Sequence, residues 1–159
     1  MPKNVTPDVA LDRLMALCAR SEQCSHDVRQ KLRNWGLDQS QIEAVVETLI
    51  DRRYVDDNRF ARAFVNDKTR LALWGPRKIF AALLRHHIPA ALIRRHLDAI
   101  DPAVIDSNLL HILRAKARTI DEPCTFDGRT RLFRYALSRG YDPEAIARIL
   151  RANFVKPNP

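Results

Sequence analysis

The sequence predicts an all-α protein, three tandem three-helix repeats forming an elongated, curved array. Three observations carry that prediction. Apolar residues recur at three- and four-residue intervals along most of the chain. Glycine occurs only at positions 36, 75, 128 and 140, and no Asn-Gly or Asp-Gly turn joins alternating strands. Finally, Val28, Leu32, Leu37, Ile42 and Val46 recur as Ile79, Leu83, Ile88, Ile93 and Leu97 at a constant shift of 51. They recur again as Leu132, Ala136, Tyr141, Ile146 and Leu150 at a shift of 104. Gly36 and Gly140 coincide in this alignment, and His87 takes their position in the middle copy.

Taken in order, Leu11, Leu14, Leu17 and Cys18 give the first helix its apolar face. Val28, Leu32 and Trp35 give the second, which ends at Gly36, a residue suited to a left-handed stop. Ile42, Val45, Val46, Leu49 and Ile50 mark the third. The fourth runs from Phe60 through Phe64 and Leu71 to Trp74, and the fifth holds Ile79, Leu83 and Leu84. Ile93, Leu97 and Ile100 define the sixth, and Ile105, Leu109, Ile112 and Leu113 the seventh. Leu132, Phe133, Ala136 and Leu137 precede Gly140 in the eighth, and Ile146, Ile149 and Leu150 face one way in the ninth. Thr6-Pro7, Gly75-Pro76, Asp101-Pro102 and Asp142-Pro143 each place a capping residue before a proline at the first helical position. Ile88-Pro89 is similar but has no polar cap. The expected units are residues 1–53, 54–104 and 105–159. A unit of this size buries little surface alone and needs its neighbour.

Composition narrows the function classes. With 46% hydrophobic and 29% charged residues, the 159-residue chain reads as soluble and globular. No apolar run is long enough to cross a bilayer, and Met1-Pro2-Lys3-Asn4 lacks the apolar stretch of a leader, so a cytoplasmic location is expected. Cys18, Cys24 and Cys124 form no Cys-x-x-Cys pair and no zinc-type spacing, so structural or incidental roles are expected and no metal. The net charge of +8 is unevenly spread. Residues 1–51 carry 6 basic and 8 acidic groups, residues 52–100 carry 11 and 4, and residues 101–159 carry 10 and 7. The electropositive field therefore centres on the middle unit, which points to an acidic partner.

No phosphate loop, dinucleotide fingerprint or nucleophile elbow is present, so catalysis and cofactors are not expected. Asp56-Asp57 has the makings of a metal pair, but adjacent acids at a helix start more often serve as cap and first-turn charge. His86-His87 point about 100° apart on a helix and chelate poorly. The remaining constellation is basic: Arg52, Arg53, Arg70, Arg77, Lys78, Arg85, Arg94 and Arg95 around the middle unit, with Arg131 and Arg134 on the eighth helix beside Arg129 and Arg139. Such rows suit a phosphate backbone or an acidic groove.

Two segments carry a family resemblance. Tyr54-Val55-Asp56-Asp57-Asn58-Arg59-Phe60-Ala61, followed by Phe64-Val65, resembles the Asp-Asp-x-Arg-Phe-Ala signature of the RecX regulatory proteins. Gly75-Pro76-Arg77-Lys78-Ile79 with Leu83 is similar to the family's Gly-Pro-x-x-Ile-x-x-x-Leu segment, about 15 residues later. Ser25 to Leu37 and Arg139-Gly140-Tyr141 also resemble the family's first and last repeats. One departure is His86-His87-Ile88, where relatives often place lysine and glycine, which is expected to leave this helix end without its left-handed stop. The resemblance implies a modulator of the RecA recombinase in recombination, DNA repair and the SOS response. Such a protein binds RecA in its filament on single-stranded DNA and inhibits its ATPase, filament growth and strand exchange. It further implies a protein without cofactor, taken here as a monomer. The middle and last units would span neighbouring RecA protomers, with Arg77, Lys78, Arg85, Arg94 and Arg95 as first candidates for contact. The signature residues Tyr54, Asp56, Asp57, Arg59, Phe60, Gly75, Pro76 and Ile79 are expected to be mainly structural. The rival expectation is a direct DNA binder related to helix-turn-helix readers.

Overall fold

The computed structural model describes residues 4–156. The start Met1-Pro2-Lys3, read above as lacking a leader's apolar stretch, lies outside them. Among the described residues the chain forms nine helices and no strand. They are α1 (Pro7–Arg20), α2 (Ser25–Asn34), α3 (Gln39–Asp51), α4 (Asp57–Arg70), α5 (Pro76–Arg85), α6 (Ala90–Asp98), α7 (Pro102–Ala117), α8 (Phe126–Ser138) and α9 (Pro143–Asn153).

Helix starts follow local chemistry. The side chains of Thr6, Asp101 and Asp142 each accept a first-turn N–H ahead of a proline at the helix start. Gly75 occupies the same position before Pro76 without a side chain to offer. Asp38 and Gln41 form a reciprocal capping box on α3, a pattern legible as Asp-x-x-Gln. Pro89 sits in the cap position of α6 rather than at its first helical residue.

Three hydrophobic clusters result. Leu14, Val28, Leu32, Ile42 and Leu49 centre the first, from α1–α3. Phe60, Val65, Ile79, Leu83 and Ile93 centre the second, from α4–α6. Leu109, Leu113, Leu132, Ile146 and Leu150 centre the third, from α7–α9. Of the fifteen repeat-related positions, all but the half-buried Leu97 are buried. Each large aliphatic side chain buried in this way contributes roughly 1.5–3 kcal/mol, so the sequence repeat coincides with the residues that hold each cluster together.

The repeat extends to the backbone. Gly36, His87 and Gly140 have φ of +87°, +57° and +91°. Their N–H groups donate to Arg33, Leu84 and Leu137 at 3.0, 3.0 and 2.9 Å. The next residues, Leu37, Ile88 and Tyr141, donate to Leu32, Leu83 and Ala136, each at 3.2 Å. This is the same two-bond left-handed stop three times over. The expectation that the middle copy lacks it is therefore corrected. His87 adopts the conformation itself, despite a cost of roughly 1–2 kcal/mol for a residue with a Cβ, and its ring stacks on His26 with centroids 3.6 Å apart.

The fourth helix is also shorter than the spacing suggests. It ends at Arg70, and Leu71 is 81% exposed. Leu73 turns left-handed at φ +52° and the Trp74 N–H closes back on the Lys68 carbonyl at 2.9 Å, which brings Gly75 into position to start α5.

Candidate interaction surface

The first signature segment builds the seam between the first and middle clusters. Asp56 caps α4 by accepting the Arg59 N–H at 2.9 Å, as expected of the pair's first member. Asp57 is only partly a first-turn charge. Its carboxylate accepts the Ser25 N–H at 2.7 Å and the Ser25 hydroxyl at 2.6 Å, so it serves the N-terminus of α2 from another helix. Arg59 closes the same seam. Its Nε donates to Glu22 at 2.6 Å, and another guanidinium nitrogen donates to the carbonyls of Arg53 and Tyr54 at 3.1 and 3.3 Å. The Glu22 carboxylate raises the guanidinium's pKa further. Tyr54 and Val55 pack on the first cluster, while Phe60 lies in the middle one.

The second signature segment builds the seam between the middle and last clusters, here with backbone. The Gly75 N–H donates to the Arg139 carbonyl at 2.7 Å and the Arg77 N–H to the Gly140 carbonyl at 3.0 Å. A Cβ on Gly75 would lie 2.3 Å from the Gly140 carbonyl, and one on Gly140 would lie 2.3 Å from the Lys78 Cβ. Only glycine at both positions permits this approach. Pro76, lacking an N–H, leaves no donor stranded between them. The carbonyls of Ala72 and Leu73, released by the early end of α4, accept from the Arg139 guanidinium and from the Tyr141 hydroxyl, the latter at 2.9 Å. Burial pushes the Tyr141 phenol up to about 12. Ile79, fully buried, anchors α5 beneath the seam.

The candidate cations divide accordingly. Arg77 is paired with Asp142 at 3.1 Å across the second seam, with both side chains more than half exposed. Lys78 is half-buried, packed on Gly140, with its ammonium 4.5 Å from the Trp74 ring centre. Lys68 approaches the same ring, also at 4.5 Å. Of the five first candidates, Arg77 and Lys78 are thus engaged at the second seam, Arg77 through an exposed pair and Lys78 through packing. By contrast Arg52, Arg53, Arg70, Arg85, Arg94, Arg95, Arg131 and Arg134 are exposed, and among the described residues none has a carboxylate partner. Arg94 lies over the Phe80 ring at 5.4 Å, which orders it on the α5–α6 face. Arg70 borders a hollow with Val65, Thr69, His96 and Val104, between α4, α6 and the start of α7. Arg131 borders another hollow with Asp121, Glu122 and Asp127, so its charge sits among acids.

The structure also assembles a group that spacing did not reveal. Cys24, Asp27 and His86 meet at the first seam, although 62 residues separate the cysteine from the histidine. The His86 Nδ1 is 2.9 Å from Asp27 Oδ2 and 3.9 Å from the Cys24 sulfur. Cys24 is fully buried, and burial pushes its thiol up to about 12. No helix among the described residues is long and apolar enough to cross a membrane.

Comparison with known proteins fits this arrangement. A family profile described as RecX, second three-helix domain, matches residues 56–97, which span α4 through most of α6. The regulatory protein RecX of Geobacillus thermodenitrificans (strain NG80-2) is 33% identical over 133 residues, covering 82% of this chain and 48% of that protein. The regulatory protein RecX of Clostridium botulinum (strain Alaska E43 / Type E3) is 28% identical over 134 residues, covering 83% and 62%. The chain thus spans about half to three fifths of the length of these relatives. The crystal structure of RecX from Lactobacillus salivarius superposes with a TM-score of 0.81 at 15% identity, covering 92% of this chain and 95% of that one, which shows a shared fold. With both signature segments placed at helical seams and a profile match across the middle three helices, the chain belongs to the RecX family.

Proposed function

We propose that this protein binds the RecA recombinase in its filament on single-stranded DNA and lowers its ATPase, filament growth and strand exchange. It acts by binding rather than by turnover, as a cytoplasmic monomer, in recombination and DNA repair. The observation that supports this reading most is the set of exposed arginines without carboxylate partners among the described residues, Arg70, Arg85, Arg94 and Arg95, in the region that the family profile matches. Unpartnered arginines have donors to spare for carboxylates or phosphates, and a field of this sign speeds encounter with an acidic filament. Arg85, Arg94 and Arg95 are the leading contacts, with Arg70 at the end of α4 and Arg52 and Arg53 just after α3 as further ones. Arg131 and Arg134 extend the surface onto α8. The division of the chain into units at 1–53, 54–104 and 105–159 belongs to this proposal, each seam setting how one unit is presented to successive RecA protomers.

The test is RecA ATPase on single-stranded DNA titrated with this protein. Saturable inhibition at sub-stoichiometric or stoichiometric ratios to RecA is expected. Unchanged ATPase across the titration would contradict the proposal. Binding to bare duplex DNA that weakens steeply with salt, with a log–log slope of roughly −0.9 per phosphate neutralised, and no effect on RecA would favour a direct DNA binder instead.

A further inference from the structure

We infer that Cys24, Asp27 and His86 form a binding site for a divalent zinc-type metal ion at the junction of α2 and α5. The three donors are a sulfur, a carboxylate oxygen and an imidazole nitrogen, and all lie within 4.8 Å of one another. Zinc takes this mixture of ligands, with metal–ligand distances of about 2.0–2.3 Å. Tetrahedral geometry then places donor atoms about 3.3–3.6 Å apart. The sulfur–Nδ1 distance is 3.9 Å and the Nδ1–carboxylate distances are 2.9 and 3.1 Å. Shifts of a few tenths of an ångström, with a small rotation of Asp27, would open that space. The fourth position falls to water, reached from the side where Asp27 and His86 are each about one third exposed.

The surroundings prepare the donors for a cation. Cys24 occupies the N-cap position of α2 without a side-chain hydrogen bond to the helix, so its sulfur is left facing Asp27 and His86, and burial keeps it a thiol until a cation displaces the proton. The His86 ring is held edge-on by Phe60 and Phe64, with centroids at 5.3 and 5.7 Å, so Nδ1 stays aimed at the other two ligands. Binding replaces the thiol proton, which goes to solvent, and needs the Nδ1 lone pair, so the neutral His86 ring carries its proton on Nε2 when the ion is bound. The ion would tie the start of α2 to the end of α5, and so fix the first seam.

Cobalt(II) titration of the metal-stripped, reduced chain tests this, because a cobalt–thiolate bond gives a charge-transfer band and a four-coordinate site gives strong visible bands. One equivalent should bind, zinc should displace it, and zinc should raise the melting temperature. Cys24→Ser should abolish the charge-transfer band, and His86→Gln, at the one-third-exposed edge, should weaken binding at least tenfold with helicity unchanged. Cys18→Ser and Cys124→Ser should leave both signals intact. Absence of a charge-transfer band in the wild-type chain, or its persistence in Cys24→Ser, would overturn the site.

Discussion

The two seams of this molecule solve one problem with different materials. The first is made of side chains: Asp57 reaches Ser25, Arg59 reaches Glu22, and Asp27 reaches His86. The second is built around backbone, with Gly75 and Gly140 in direct contact, and side-chain bonds from Tyr141, Arg139, Asn108 and the exposed Arg77–Asp142 pair are added to it. A side-chain seam can lose one bond and relax, because its groups stand partly in water. A backbone seam has no slack, because a single added carbon cannot be moved out of the way. Both family signatures lie at these seams, and the exposed Arg94 and Arg95 lie away from them on α6.

That contrast sets the order of expected effects. Gly75→Val should be the most damaging substitution, since its branched side chain meets the Gly140 backbone. A loss of about 1–3 kcal/mol or more is expected, read in urea denaturation, with each kcal/mol lowering the melting temperature by about 2–4 °C in a chain of this size. A wild-type midpoint in Gly75→Val would show that the second seam is looser than its geometry implies. At the first seam, Asp57→Ala removes two acceptors from the start of α2 and should cost about 1–2 kcal/mol, measured the same way. Equal losses for the two variants would erase the distinction between the seams.

Tyr141→Phe should cost about 1 kcal/mol by leaving the Leu73 carbonyl without its donor. It should also change the alkaline limb of stability. The buried phenol has its pKa raised from 10.0 to about 12, so between those values the unfolded chain loses the proton that the folded chain keeps. Stability from this group is therefore complete below pH 10 and declines as pH rises toward 12. Tyr141→Phe should flatten that decline in a series of denaturation curves. Arg77→Ala should have the smallest effect, roughly 0.5 kcal/mol or less, because its pair with Asp142 is exposed and screened.

Most of the fold was legible because helix faces, caps and stops are local. The positions aligned at shifts of 51 and 104 are nearly all buried, and the prolines mark helix starts. His87 was misjudged because its type disfavours a conformation that its neighbours impose. Leu71 was misjudged because periodicity continues past the point where the chain must turn toward Gly75. The seams were less legible. Gly75 read as a cap before a proline, and nothing local reveals that its missing side chain admits Gly140. Asp57 and Ser25 are 32 residues apart, and Arg139 and Ala72 are 67 apart, so their partnership exists only after packing. The exposed arginines could be named in advance, but only the structure separates Arg77 and Lys78, engaged at a seam, from Arg85, Arg94 and Arg95, which are not.

The central claim is that the seams hold the shape and the exposed arginines of the middle cluster make the contact. Its most direct test is inhibition of RecA ATPase by the Arg85→Glu/Arg94→Glu/Arg95→Glu variant beside a charge-matched Arg20→Glu/Arg33→Glu/Arg114→Glu control, both with helicity checked. Three reversed exposed charges should raise the half-inhibitory concentration by about 10–100-fold in the first variant and by less than about threefold in the control. Equal inhibition by the two variants would contradict the claim.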